Sequence, residues 1–292
     1  MSNDALEQLC RALRNCDTLR ELDVSENSWV PKDSSDRFSP GLRGAKILAE
    51  HLRVSSSLTV LSMHSLYVGA HGGQILGIAL RNHGQHLVKL DVSTNLMENV
   101  GAAYLLSALP GNTVLTALNL SKNRMSGGVI QHVMLYCTAL QHLSLANNVL
   151  GNRATLRIVQ WCQYHTLLQT LNLNKCNVCV PAVQALGLFL GTHPTLRFLN
   201  LGRNNLKITA CKHLWTVLRL QKADRNMIIL DESLNLSAVA KENGFLNATD
   251  LRIPEGEVWS NEQINQLIRD RRGGMCCMHF GTRFHMDSLR TH

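Results

Sequence analysis

No apolar run in the 292-residue chain reaches 18 residues, so no membrane-spanning helix is expected. The opening MSNDALEQLC lacks the basic flank and apolar centre of a secretory signal. A cytoplasmic setting with reduced thiols is therefore expected. The nine cysteines, odd in number and irregular in spacing, do not read as a disulfide framework. Aromatic residues make up 5% of the chain against 45% apolar residues, so the core has to be built from Leu, Val, Ile and Ala.

Catalytic patterns are missing as well. There is no G-x-x-x-x-G-K-[ST] phosphate loop, no G-x-S-x-G elbow and no H-E-x-x-H. GAHGGQILG at 69–77 is rich in glycine but completes no phosphate motif, and its glycines fit a turn between a strand and its helix. The histidines are scattered, none at a telling spacing from a carboxylate. CCMHFGTRFH at 276–285 offers Cys276, Cys277, His279 and His285, but adjacent cysteines bite one metal poorly and no C-x2-C pair precedes them. No enzyme activity, cofactor, metal or small-molecule substrate is expected.

What the chain does contain is a repeat. L-x-x-L-x-L-x-x-N returns as LRELDVSEN at 19–27, LVKLDVSTN at 87–95, LTALNLSKN at 115–123 and LQHLSLANN at 140–148. Weaker copies are LTVLSMHSL at 58–66, LQTLNLNKC at 168–176 and LRFLNLGRN at 196–204, with a degraded copy, MIILDESLN, at 227–235. The starts step by 39, 29, 28, 25, 28, 28 and 31 residues.

Within each copy, L-x-L alternates, which turns both leucines to one side of a short strand. A segment of helical period follows, as in ENVGAAYLLSAL at 98–109, where Val100, Tyr104, Leu105 and Ala108 share a spacing. Similar stretches occupy 72–80, 129–137, 155–162, 182–190 and 209–218. One strand and one helix cannot bury their apolar faces alone, but stacked units can. Asn27, Asn95, Asn123, Asn148, Asn204 and Asn235 then form a ladder that satisfies backbone groups in the turns. Cys176 is a tolerated substitute there. Leu66 can neither accept nor donate, so a locally altered turn is expected in the second repeat.

This pattern resembles the ribonuclease-inhibitor type of leucine-rich repeat, whose units run to about 28 residues. The resemblance covers residues 5–235. It implies an α/β fold, a right-handed leucine-rich-repeat solenoid (horseshoe) with parallel strands on the concave side and helices on the convex side. The family spans nuclease inhibitors, sensor domains of innate-immune receptors, actin-capping proteins, activators of a nuclear-transport GTPase and subunits of ciliary assemblies. Across it, the resemblance implies binding to another macromolecule, usually without chemistry.

Two parts are expected: a repeat domain over 1–235 with about eight repeats, and a C-terminal cap or tail over 236–292 with one short helix. Residues 5–14 look like the helix of a preceding unit, with Asn3 or Asp4 as its cap. Repeat one carries a loop insertion at 28–41, rich in Ser, Asp and Pro, whose Trp29 and Phe38 either cover the solenoid end or anchor a partner. In the tail, Ser260 and Gln263 form a capping box before Ile264, Leu267 and Ile268.

The charge is placed unevenly. The formal net charge is +8, yet residues 99–223 hold no Asp or Glu at all. Lys122, Lys175 and Arg203 share one repeat position, the residue before the ladder, and Arg124, Arg153 and Lys207 lie slightly further along the same turns. With strands about 4.8 Å apart, these cations line one rim. The row between the paired leucines (Asp23, Ser62, Asp91, Asn119, Ser144, Asn172, Asn200, Asp231) is short and polar, suited to bonding along the sheet.

A non-catalytic protein–protein interaction scaffold follows, a subunit of a larger cytosolic or cytoskeletal assembly, with the cilium as a setting by family analogy. Its partner would be an acidic protein surface such as tubulin or an acidic coiled coil. RNA binding through the same rim is the alternative. It is weakened because Tyr104, Tyr136, Tyr164, Phe189 and Trp215 mostly read as helix core, which leaves Phe198 and Trp161 for stacking. A GTPase activator of the nuclear-transport type comes third, because that group carries a long acidic tract and this tail is neutral.

Overall fold

A computed structural model describes residues 2–14, 16–27, 41–53, 57–81, 86–110, 112–179, 181–186, 193–196, 198–204, 206 and 227–229. Each L-x-L gives one three-residue strand: β1 (Glu21–Asp23), β2 (Val60–Ser62), β3 (Lys89–Asp91), β4 (Ala117–Asn119), β5 (His142–Ser144), β6 (Thr170–Asn172), β7 (Phe198–Asn200) and β8 (Met227–Ile229). They pair in parallel and in sequence order as one open sheet. Leu22, Leu61, Leu90, Leu118, Leu143, Leu171, Leu199 and Ile228 form one row across it. The leucines of that row and Val24, Met63, Val92, Leu120, Leu145, Leu173 and Leu201 behind it are buried. Each such side chain contributes about 1.5–3 kcal/mol, and stacking makes the contribution continuous.

The helices are α1 (Asn3–Ala12), α2 (Leu42–Leu52), α3 (Gly69–Leu80), α4 (Glu98–Leu106), α5 (Ile130–Tyr136, after the 3-10 turn Gly127–Val129) and α6 (Gly151–Tyr164). Residues 181–186 are also helical. Helix α1 is capped by Ser2, whose hydroxyl accepts the Ala5 N–H at 3.2 Å, and not by Asn3 or Asp4. Helices α2 to α6 have no side-chain cap. At four helix entries the neighbouring repeat accepts instead. Gly41 N–H donates to Tyr67 O at 2.9 Å, Gly69 to Asn95 O at 2.8 Å, Glu98 to Asn123 O at 2.8 Å and Gly151 to Cys176 O at 3.0 Å. A unit taken alone would leave these donors orphaned.

Four expectations are corrected. The glycines of 69–77 are not confined to a turn: Gly72, Gly73 and Gly77 lie within α3. A methyl group at Gly73 would sit 2.9 Å from Gly101 Cα, and one at Gly77 would sit 2.4 Å from Tyr104 O, so the glycines bring α4 against α3. Helix α4 buries Gly101, Ala102, Leu105 and Leu106, leaving Val100 57% and Tyr104 40% exposed. The turn at Leu66 is not altered. Ser65 and Tyr67 flank it with φ of 59° and 56°, as Thr94 and Leu96 flank Asn95 with 57° and 57°. Leu66 simply fills its place as a fully buried apolar side chain. The last strand pairs two residues early, with Ile228 opposite Leu199 and Ile229 opposite Asn200. A shift of two keeps every residue on its face, and β8 ends before Glu232.

Trp29, Phe38, Lys207, Trp215, the 236–292 tail with its 260–268 segment, and Cys276 to His285 lie outside the described residues.

Candidate interaction surface

The rim grows out of the turn geometry. After each strand from β1 to β7, the residue before the ladder position takes a left-handed backbone: Glu26, Ser65, Thr94, Lys122, Asn147, Lys175 and Arg203, with φ from 51° to 59°. Arg124 repeats it after the ladder at 56°. The Lys122 N–H donates to Ala146 O at 2.8 Å and the Lys175 N–H to Gly202 O at 2.8 Å, so the turn backbones tie each repeat to the next. The conformation costs an L-residue about 1–2 kcal/mol. Asn147 suits it, Lys and Arg gain nothing from it, and Glu26 and Ser65 show that no positive charge is needed. The fold therefore does not explain why the cations gather in the repeats without carboxylates.

Lys122 is half-buried, while Arg124, Arg153, Lys175 and Arg203 are exposed. The ion pairs formed among the described residues, Arg11 with Glu7 and Arg43 with Asp4, lie at the other end of the sheet. Lys122 follows β4, Lys175 follows β6 and Arg203 follows β7, so successive cations are about 10 Å and 5 Å apart along the stack. Arg153 lies in the first turn of α6, which holds no acidic residue. A cation there opposes the helix dipole, so helix stability does not explain it either.

The concave row works chiefly for the sheet. Its Asp and Asn side chains accept the N–H two residues on: Asp23 from Ser25 at 2.9 Å, Asp91 from Ser93 at 2.9 Å, Asn119 from Ser121 at 3.1 Å, Asn172 from Asn174 at 3.1 Å and Asn200 from Gly202 at 2.9 Å. Where the row holds serine, the hydroxyl reaches the preceding repeat: Ser62 to Ser25 at 2.9 Å, Ser144 to Ser121 at 2.7 Å. Asn119 also donates to Asp91 Oδ2 at 3.0 Å. Burial pushes the Asp91 carboxyl up, while the Ser93 and Asn119 bonds and neighbouring His64 pull it down. In the flanking row, His142 contacts Thr170 Oγ1 at 3.1 Å, and burial followed by the charge of Lys89 lowers its pKa.

Two aromatic assignments change. Tyr164 is 88% exposed and Tyr104 is partly exposed, so neither is core. Both lie on helices, away from the rim turns. Trp161 packs against the core and against the His165 ring at 4.4 Å. Among the described residues, no group of three His, Cys, Asp or Glu could hold a metal ion, and no helix is long and apolar enough to cross a membrane.

Sequential parallel strands, buried leucine rows and an asparagine ladder together define a leucine-rich-repeat protein. Residues 111–128 match the family described as Leucine Rich repeat. The chain is 27% identical over 290 residues to NACHT, LRR and PYD domains-containing protein 9C of Mus musculus, covering 88% of this chain and 29% of the relative. It is 28% identical to Protein NLRC5 of Ictalurus punctatus, covering 58% of this chain and 9% of that protein. To NACHT, LRR and PYD domains-containing protein 12 of Homo sapiens it is 26% identical, covering 70% and 19%. The chain thus spans less than a third of the length of these curated relatives. The repeats and these relatives support a protein-interaction role.

Proposed function

We propose that the protein is a non-catalytic protein–protein interaction scaffold within a larger cytoplasmic or cytoskeletal assembly, such as a ciliary one, and that its basic rim holds an acidic protein surface. One observation carries the proposal: Lys122, Arg124, Lys175 and Arg203 occupy equivalent turns in a tract without carboxylates, and none makes an ion pair among the described residues. Arg153 extends the set, as does Lys207 by its place in the sequence. Cations without carboxylate partners at equivalent turns steer and hold a complementary surface. Trp29 and Phe38 of the insertion are weaker anchors in the same proposal.

Calorimetric titration of the full chain with an acidic coiled coil, with tubulin and with single-stranded RNA tests this. Saturable binding to one of the protein partners, weakening with salt and stronger than RNA binding, is the expected result. Tighter binding to RNA than to either protein would overturn it.

A further inference from the structure

Repeat four is short. Leu115 and Leu140 are 25 residues apart, whereas Leu140, Leu168 and Leu196 follow at 28. The shortfall falls in the helical layer, where a 3-residue 3-10 turn and the 7-residue α5 stand against the 14 residues of α6. On its other side α4 is drawn onto α3 by the contact of Gly73 and Gly77 with Gly101 and the Tyr104 backbone. Helix α4 therefore packs closely on α3 and only sparsely on α5. The result is a groove of about 420 Å³ lined by Asn99, Val100, Ala103, Tyr104, Ser107 and His132.

The groove's own side chains mark it as a contact site. Val100 and Tyr104, one helical turn apart, keep large apolar surfaces in solvent. Its end is joined to the basic rim: Asn99 Nδ2 donates to Ser126 Oγ at 2.6 Å, and the Ser126 N–H donates to Asn99 Oδ1 at 2.8 Å. Ser126 is two residues from exposed Arg124. Space beside the turn is open, with nothing within 4 Å of where a methyl on Gly128 would sit.

We propose that this convex groove takes a large apolar side chain from an acidic amphipathic segment of a partner protein, whose carboxylates meet Arg124 and Lys122. Charge complementarity selects that occupant, because Asn99 opens the tract in which Lys and Arg occur with no Asp or Glu. A segment with basic flanks would meet Arg124 and Lys122 as like charges, with exposed Glu98, beside Asn99, the one carboxylate of α4. The inference rests on the rim reading and adds the anchor that a charge contact alone lacks.

The test uses the full chain and fluorescein-labelled 16-residue peptides read by anisotropy. One carries leucines four residues apart among glutamates, one replaces those leucines with alanine, and one replaces the glutamates with lysine. The leucine–glutamate peptide is expected to bind wild type at least 10-fold more tightly than either control. Val100→Asp and Ala103→Trp, which charge or fill the groove, are each expected to weaken it at least 10-fold with circular dichroism unchanged. Several outcomes overturn the inference: no binding at low salt, equal binding of the lysine peptide, or unchanged affinity in both groove variants. The last, combined with loss in Arg124→Glu, overturns the groove and leaves the rim reading standing. A wild-type dimer that Val100→Asp dissolves gives the groove to a second copy and also overturns it.

Discussion

Asn123 holds Asn95 across a repeat boundary. Its Oδ1 accepts the Asn95 N–H at 3.1 Å and the Met97 N–H at 3.3 Å, while its Nδ2 donates to Val92 O at 2.9 Å and Leu120 O at 3.2 Å. With Ser121 O at 3.3 Å as well, one side chain thus serves five backbone groups of two units. Asn123→Ala takes the acceptor from the buried Asn95 and Met97 N–H groups, whereas Val92 O keeps Asn95 Nδ2 at 3.1 Å and Leu120 O keeps Asn148 Nδ2 at 3.0 Å; the loss should cost about 3 kcal/mol in urea unfolding. Asn148→Cys should cost less, because Cys176 already shows a thiol donating to Leu145 O at 3.2 Å from the ladder position.

Helix propensity predicts the wrong sign at two glycines. Alanine is about 1 kcal/mol better than glycine inside a helix. At Gly77 or Gly101, however, the added methyl meets neighbouring backbone at 2.4 Å or 2.9 Å. Gly77→Ala and Gly101→Ala should each lower stability by about 1–3 kcal/mol, measured as a lower urea midpoint.

Arg153→Glu should separate stability from binding. A carboxylate in the first turn of α6 favours the helix by about 0.5 kcal/mol, so a slight gain in stability is expected. Affinity for an acidic partner should fall in the same variant. A fall in both would assign Arg153 a structural role.

Acid should act through His51. It is buried, with neither ring nitrogen hydrogen-bonded among the described residues, and burial lowers its pKa from 6.5. The unfolded chain then takes up a proton that the folded chain refuses, so the stability linked to this group is full above pH 6.5 and declines as pH falls below it. His51→Leu should be more stable at pH 7 by about 1–2 kcal/mol, since it removes an unsatisfied polar group. Its advantage should widen between pH 6.5 and 5, read as the difference in unfolding free energy between variant and wild type.

The leucine rows and the strand order were legible because a period of two and a period near 28 residues both follow directly from burial. The Asn ladder was legible because one residue type returns at one repeat position, and stacking then brings each side chain to the backbone of the preceding unit. Helix α4 was misjudged at Val100 and Tyr104 because periodicity cannot tell a helix face packed on neighbours from one beside a gap. That gap depends on glycine contacts between α3 and α4, which involve two units at once. The β8 register was misplaced because LxL spacing in MIILDESLN allows two alignments that differ by an even step. The left-handed turns gave no sequence signal, as Lys122, Thr94 and Glu26 are not residues that announce such a backbone.

Charge exchange probes the rim most directly. The triple variant Lys122→Glu, Lys175→Glu, Arg203→Glu should fold normally, because Glu26 already occupies this turn position with φ of 56°. Its binding should be titrated against an acidic coiled coil and against the same coil with lysine in place of its glutamates. The triple variant is expected to lose the acidic coil by at least 10-fold and to gain the lysine coil, with salt weakening both contacts. Unchanged affinity for the acidic coil, with the same dependence on salt as wild type, would contradict the rim as a binding surface.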